Sequence, residues 1–209
     1  MSFATLDALR ESLAMPAAKV RSPEYVAKMM HRVPEAGVVD RAKFILERCK
    51  GKVVLDIGAS GPMHEQIAAA ARDCFGIDRP GASDVTGVVG IDLDEPHDLS
   101  PELYEWEHVE LVVCGEVLEH LSNPGRFLNG LRRNYPNAPV IITVPNAFST
   151  AGQRHMEDGI ENVNIDHVNW YSWRTMKTLL DRCGYVVEEF HWYGGEPYTA
   201  EGLIFLVHG

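Results

Sequence analysis

The chain has 209 residues, of which 45% are hydrophobic and 23% charged, enough for one globular domain with a core of its own. Nineteen Lys+Arg against thirty Asp+Glu give a formal charge of −11 with no basic run, which argues against a nucleic-acid partner. No apolar run approaches a membrane span; Met1–Met15 carries Asp7, Arg10 and Glu11 and is no secretory signal; and Cys49, Cys74, Cys114 and Cys183 are too scattered for a zinc knuckle or a disulfide framework. A reduced, cytoplasmic protein without membrane contact is the expectation.

The first fifty residues read as helical. Phe3, Leu6, Leu9 and Leu13 recur at helical spacing up to Pro16, and Tyr25, Val26, Met29 and Met30 face one way after Ser22-Pro23. A third helix is predicted over Glu35–Cys49, ended by Gly51. From residue 52 the pattern alternates. Lys52–Ile57, Cys74–Ile77, Thr86–Ile91, Val109–Cys114 and Pro139–Val144 read as strands, and Met63–Asp73 and Asn123–Asn134 as helices between them. Ser172–Cys183 follows as a helix capped by Ser172, then Tyr185–Trp192 and Leu203–Val207 as two late strands. This alternation predicts an α/β fold, a mostly parallel sheet with helices on both faces, in a single domain. The short return from Trp192 to Leu203 predicts an antiparallel last strand, because a parallel crossover needs a dozen or more residues.

The stretch Val53-Val54-Leu55-Asp56-Ile57-Gly58-Ala59-Ser60-Gly61-Pro62 runs from a strand through a glycine loop into a helix. Glycine permits the tight turn, and the helix start offers free N–H groups. Asp78 ends the second strand about twenty residues on, the place of a ribose-binding acid in such folds. Asp92 follows the third strand. Either acid alone is a solvated carboxylate; together beside the loop they point to a nucleoside. The loop lacks GxGxxG, since Ser60 takes the second glycine's place, and it lacks the GK[ST] of a P-loop, so nicotinamide and ATP lose ground.

These residues resemble a class I S-adenosylmethionine-dependent methyltransferase over roughly Lys52–Gly209. Asp56-Ile57-Gly58-Ala59-Ser60-Gly61 resembles the family's first motif, with Ser60 and Gly61 out of step; Cys74–Asp78 resembles the second and Gly90–Leu93 the third. The segment Val112–Pro124, containing Cys114-Gly115-Glu116-Val117-Leu118-Glu119-His120-Leu121, is similar to small-molecule enzymes of the ubiquinone-biosynthesis type. The resemblance implies a Rossmann-like fold of seven strands in the order 3-2-1-4-5-7-6, with residues 1–50 as helical cover and 51–209 as core. It implies S-adenosylmethionine as cofactor, leaving as S-adenosylhomocysteine, held by Asp56, Gly58, Ala59, Ser60, Gly61, Asp78, Asp92, Leu93, Cys114, Gly115 and Glu116. Glu119 would point outward or cap. No NPPY segment follows the fourth strand and no Pro-Cys pair occurs, which favours a small-molecule or glycan acceptor over nucleic acid or protein.

Methyl transfer from a sulfonium asks mainly for proximity and orientation, and a hydroxyl acceptor also for a base. The candidate catalytic residues are His167, with Asp166 to orient its ring, and His120. Alternatively His120 shapes the cofactor pocket and His167 ties down a loop. His155 reads as solvated, and His31, His64, His97, His108, His191 and His208 as carrying no constellation. Asn146–Val168 is long and aperiodic, so an acceptor-binding lid is expected there, with Trp170 and Tyr171 at its base. No metal constellation stands out; Asp92, Asp94 and Glu95 beside His97 read as a solvated loop. The N-terminal helices would cover the ligands or make a homodimer surface. O-methylation is the leading function; a non-catalytic S-adenosylmethionine-binding regulator is the alternative.

Overall fold

The computed structural model describes residues 32–82, 87–95, 99, 106 and 108–209. The helices expected near Phe3–Leu13 and Tyr25–Met30, and the start of the third strand at Thr86, lie outside these residues.

Strands β1 (Val53–Ile57), β2 (Asp73–Asp78), β3 (Val88–Gly90), β4 (Leu111–Gly115), β5 (Val140–Pro145), β6 (Val186–Tyr193) and β7 (Gly202–His208) form one sheet in the order β3-β2-β1-β4-β5-β7-β6. β1 to β5 run parallel, and β7 is antiparallel to both its neighbours. This is the Rossmann-like order expected. The antiparallel strand follows from the short link 194–201, which folds β6 back on β7 as a hairpin.

Among the described residues, five helices flank the sheet: α1 (Arg41–Cys49), α2 (Pro62–Ala70), α3 (Pro124–Asn134), α4 (Thr150–Met156) and α5 (Trp173–Arg182). Phe44, Ile45 and Cys49 of α1 and Ile67 of α2 pack on Val54, Leu111, Val113, Ile141, Ile204 and Leu206, one face of the sheet. On the other face, Trp173 of α5 stacks on Phe205 with ring centroids 5.7 Å apart, and Tyr185 donates to the Leu128 carbonyl of α3 at 3.1 Å. α3 and α5 begin as their sequences predict. Asn123 accepts from the Arg126 amide at 3.0 Å ahead of Pro124, and Ser172 and Thr175 form a capping box.

Two expectations need correction. The predicted helix Glu35–Cys49 begins only at Arg41, because Asp40 caps it by accepting from the Lys43 amide at 2.7 Å. Gly37–Val39 instead run alongside β6, with Val39 donating to the Trp192 carbonyl at 2.8 Å and Trp192 donating to the Gly37 carbonyl at 3.0 Å. The backbone amides of this stretch thus satisfy a sheet edge rather than a helix turn. The segment Asn146–Val168 is not wholly irregular either: it contains α4, capped by Ser149, which accepts from the Gly152 amide at 3.2 Å. No helix among the described residues is long and apolar enough to cross a membrane.

Candidate active site

β1 lies where the chain reverses direction across the sheet, to β2 and β3 on one side and β4 and β5 on the other. A crevice must open at the carboxyl ends of such strands. It holds a cavity of about 650 Å³, walled among others by Gly58, Ser60, Asp78, Asp92, Leu93, Gly115, Glu116 and His120.

The wall is built from the strand ends. Gly58 leaves β1 with φ +88°, and a Cβ there would lie 2.7 Å from Val117 Cγ2. Gly58 and Ala59 both donate to the Ile77 carbonyl, at 2.8 and 3.1 Å, which pins the loop to β2. Gly61 is extended, with open space around it, and starts α2 ahead of Pro62. The out-of-step second half of the motif therefore asks for no glycine geometry. Asp78 closes β2: Oδ1 accepts from the Arg79 amide at 2.6 Å, while Oδ2 is buried with no partner. A buried carboxylate oxygen left unpaired is costly unless a ligand donates to it. Two ribose hydroxyls are donors of the right kind, so the site fits a nucleoside. Asp94 braces the opposite rim, accepting from the Ser122 amide at 2.7 Å and its hydroxyl at 3.1 Å.

Four expected cofactor residues do not face the cavity. Asp56 and Cys114 point into the core, Ala59 is fully buried, and Gly61 lies outside the wall. Asp56 instead meets His64 Nδ1 at 2.9 Å, both buried, so His64 is no idle histidine but its partner beneath the loop. Burial outweighs that bond and pushes the Asp56 carboxyl above the ordinary range.

The far wall holds the histidines. Leu118–His120 form a single 3-10 turn after β4. The chain at 165–171 is laced to this turn: Val168 and Asn169 donate to the Glu119 carbonyl at 2.8 and 3.1 Å, the Asn169 side chain donates to the Leu121 carbonyl at 2.6 Å, and the Tyr171 hydroxyl donates to the Leu118 carbonyl at 3.2 Å. These bonds set the His120 and His167 rings edge to face, centroids 4.6 Å apart. Burial, and then His120, lower the His167 pKa below the ordinary imidazole value, against the opposing charges of Glu116 and Asp166. Asp166 does not orient that ring. It borders the cavity and reaches Arg79 at 3.9 Å. His167 itself lines a second, smaller cavity of about 100 Å³ with Asn164, Asn169, Trp170 and Tyr171. Tyr171 is buried at the foot of the predicted lid, and Trp170 is exposed.

Glu119 reverses the expectation of an outward or capping residue. It is 1% exposed, and neither carboxylate oxygen has a partner. Burial and the neighbouring Glu116 charge push its pKa up to about 8. The folded chain thus gathers Glu119, His120 and His167, their ligand atoms within 4.8 Å of one another, where spacing alone predicts no cluster. Sequence reasoning also misses what holds Glu116. Its Oε1 accepts from Thr143 Oγ1 at 2.8 Å and from the Tyr193 hydroxyl at 2.7 Å, and Arg41 Nε donates to Thr143 at 3.1 Å. Glu116 has φ +59°, a conformation rare outside glycine, which these bonds sustain. Only the β-strand pairing brings Thr143 and Tyr193 together, so no local signal betrays them.

A family model described as a methyltransferase domain matches residues 29–189. The chain belongs to this family. It is an S-adenosylmethionine-dependent enzyme. Solved structures share the fold at low identity. The small RNA methyltransferase HEN1 superposes with a TM-score of 0.63 at 17% identity, over 86% of this chain and 27% of that one. An S-adenosylmethionine-dependent methyltransferase from Mesorhizobium loti gives 0.54 at 13%, over 80% and 95%. The magnesium protoporphyrin IX methyltransferase of Synechocystis PCC 6803, with bound S-adenosylhomocysteine, gives 0.54 at 13%, over 80% of each chain. The chain thus spans little more than a quarter of the HEN1 chain. No curated protein matches it.

Proposed function

We propose that this methyltransferase methylates an oxygen of a small-molecule or glycan acceptor. The observation that carries the reading is the placement of the His120–His167 pair between the large cavity and the small one beside Trp170 and Tyr171. The large cavity suits the donor, because its wall carries the unpaired Asp78 oxygen and the Gly58 turn. The donor supplies an activated methyl group: its C–S bond breaks as the C–O bond forms, and the acceptor hydroxyl gives up its proton. Asp78 and Asp92 at one end, and Glu116 at the other, orient the donor in the crevice. Val117 and Leu121 keep water from its middle. His120 and His167 border the space this reading assigns to the acceptor oxygen, and the lowered His167 pKa favours the neutral ring, the form that attracts a hydroxyl proton.

The acidic chain, −11 overall, supports an acceptor other than a nucleic-acid backbone. Calorimetry with S-adenosylhomocysteine tests the donor site, and methyl transfer from labelled donor to a panel of phenols, sugars and amines tests the acceptor class. Label should appear on hydroxyl acceptors, and His167→Ala should lower that turnover by about 10²–10⁴-fold with donor affinity unchanged. Transfer to amines alone, or full turnover in His167→Ala, refutes oxygen transfer at this pair.

A further inference from the structure

Glu119 poses a problem that methyl transfer alone does not answer. Buried to 1% exposure with neither oxygen hydrogen-bonded, the Glu119 carboxyl would be among the costliest groups a protein can carry if it were ionised without a counter-charge. Its titratable neighbours are two imidazoles, the Glu116 carboxylate, whose charge opposes it, and Arg41, whose weaker influence favours it. Nothing in that set donates to it as the chain stands. The rings of His120 and His167 are neighbours of each other, edge to face, with centroids 4.6 Å apart. Three potential ligand atoms thus converge within 4.8 Å, and among the described residues neither Glu119 oxygen has a hydrogen-bond partner.

We infer that Glu119, His120 and His167 form a binding site for a first-row transition-metal dication, open toward the cavity where the acceptor oxygen would sit. Two imidazoles and one carboxylate suit zinc, cobalt, manganese or ferrous iron and leave coordination positions free. Magnesium and calcium prefer sets of oxygens and are disfavoured. A cation there displaces the proton of the buried Glu119 carboxyl, gives the resulting carboxylate a counter-charge and turns the edge-to-face rings into co-ligands. It also offsets the repulsion between Glu119 and Glu116. The site needs little ordering on binding. Hydrogen bonds from Val168, Asn169 and Tyr171 already fix the 165–171 segment against the 118–121 turn, holding the two histidines at a set distance. Histidine ligands usually donate their second nitrogen to an outer partner; the described structure shows none here, so water or the acceptor would complete that shell.

The inference rests on the proposed oxygen transfer for its purpose, since a bound dication lowers the pKa of a hydroxyl that coordinates it. It changes the part of His120 and His167: a coordinated imidazole cannot take the proton, which leaves the metal-bound hydroxyl for solvent. Binding itself is testable without donor or acceptor. The full chain is stripped with chelator, dialysed, and titrated with Zn²⁺, Co²⁺ and Mg²⁺ by calorimetry, with the visible bands of Co²⁺ reporting its ligands. One equivalent of Zn²⁺ and of Co²⁺ should bind, and Mg²⁺ at least tenfold more weakly. His167→Ala and Glu119→Gln should each weaken Co²⁺ by about 10–100-fold and alter its spectrum. His208→Ala, an exposed histidine elsewhere, should leave both unchanged. Circular dichroism and S-adenosylhomocysteine affinity check that the variants fold. The inference is overturned if neither Zn²⁺ nor Co²⁺ binds stoichiometrically, or if both variants, folded, bind as the parent does. Retained S-adenosylhomocysteine binding and hydroxyl methylation in metal-free protein would overturn the cation while leaving the methyltransferase reading intact. Loss of donor binding with a normal Co²⁺ site would do the opposite.

Discussion

The two oxygens of Asp78 have different surroundings: Oδ1 accepts from the Arg79 amide at 2.6 Å, and Oδ2 is buried and unpaired. If ribose hydroxyls fill the second, Asp78→Ala should weaken S-adenosylhomocysteine binding by about 1–3 kcal/mol, the scale of charge-assisted hydrogen bonds. Calorimetry decides it; unchanged affinity in a folded variant would make Asp78 a strand-end acid and nothing more. Gly58 and Gly61 differ as sharply. Gly58 has φ +88° with Val117 Cγ2 where a Cβ would go, so Gly58→Ala should cost about 1–3 kcal/mol in urea unfolding. Gly61 is extended and has nothing nearby, so Gly61→Ala should cost under about 1 kcal/mol. Equal losses at the two positions would refute the turn argument. The acids at strand ends were legible because chain position fixes them: Asp78 and Asp92 follow apolar runs, and the runs dictate where they surface. Asp56 was not, because a motif records which residue stands there and not which way it points; in β1 it alternates inward to His64. Glu119 was illegible for a related reason. A 3-10 turn of three residues has no periodicity from which a face can be read.

α1 meets the sheet edge through one charged cluster. Arg48 donates to both Glu189 oxygens at 2.8 Å, the His191 ring stands 3.0 Å from Glu189 Oε2, and the Arg48 guanidinium lies over the Phe44 ring. The Arg48 hydrogen bond, with that of His191 behind it, lowers the Glu189 pKa below the ordinary range. A depressed carboxylate stabilises the fold above its unfolded pKa, and the stabilisation is lost as pH falls through the folded value. Glu189→Gln should therefore cost about 1 kcal/mol at neutral pH, given a pair partly open to solvent, and almost nothing near pH 2. Urea unfolding at both pH values checks this; a gap that persists in acid would assign the loss to packing. Element types were readable where period and cap agreed, as in α3 and α5. They failed at Glu35–Asp40, where Val38 matches a helical face by spacing yet bridges to Trp192 as a sheet edge. The pairing partner lies more than 150 residues away, so tertiary contact overrode local pattern. The helix α4 inside the predicted loop was missed because its seven residues are mostly polar and bury only Gly152.

In the sheet, the parallel strands β1, β2 and β4 end together at the crevice, while the β6–β7 hairpin forms the edge beyond β5 and reaches the crevice only through the Tyr193 hydroxyl on Glu116. The strand order could be inferred only through family resemblance, whereas the antiparallel end follows from a connection too short to cross over. This division predicts how a bound nucleoside spreads its effect. A ligand that binds the folded state alone stabilises it by mass action, about 2.7 kcal/mol at a hundred times its dissociation constant. For a chain of this size that raises the melting temperature by roughly 5–10 °C. S-adenosylhomocysteine should give such a shift and NAD should give none, since the Gly58–Gly61 loop lacks the dinucleotide fingerprint and the cavity wall carries one ribose-type acid on β2. Hydrogen exchange locates the effect. With S-adenosylhomocysteine, amides of Gly58–Ser60, Arg79, Asp92–Asp94 and Gly115–Leu121 should slow first, because the ligand closes the fluctuations that expose them. Amides of Val186–His191 should gain protection only to the extent that global unfolding becomes rarer. The pattern tests the fold-level placement of the site independently of turnover: protection centred on the β6–β7 hairpin would move the donor site away from the switch between β1 and β4, and a shift with NAD of equal size would return the loop to the dinucleotide class.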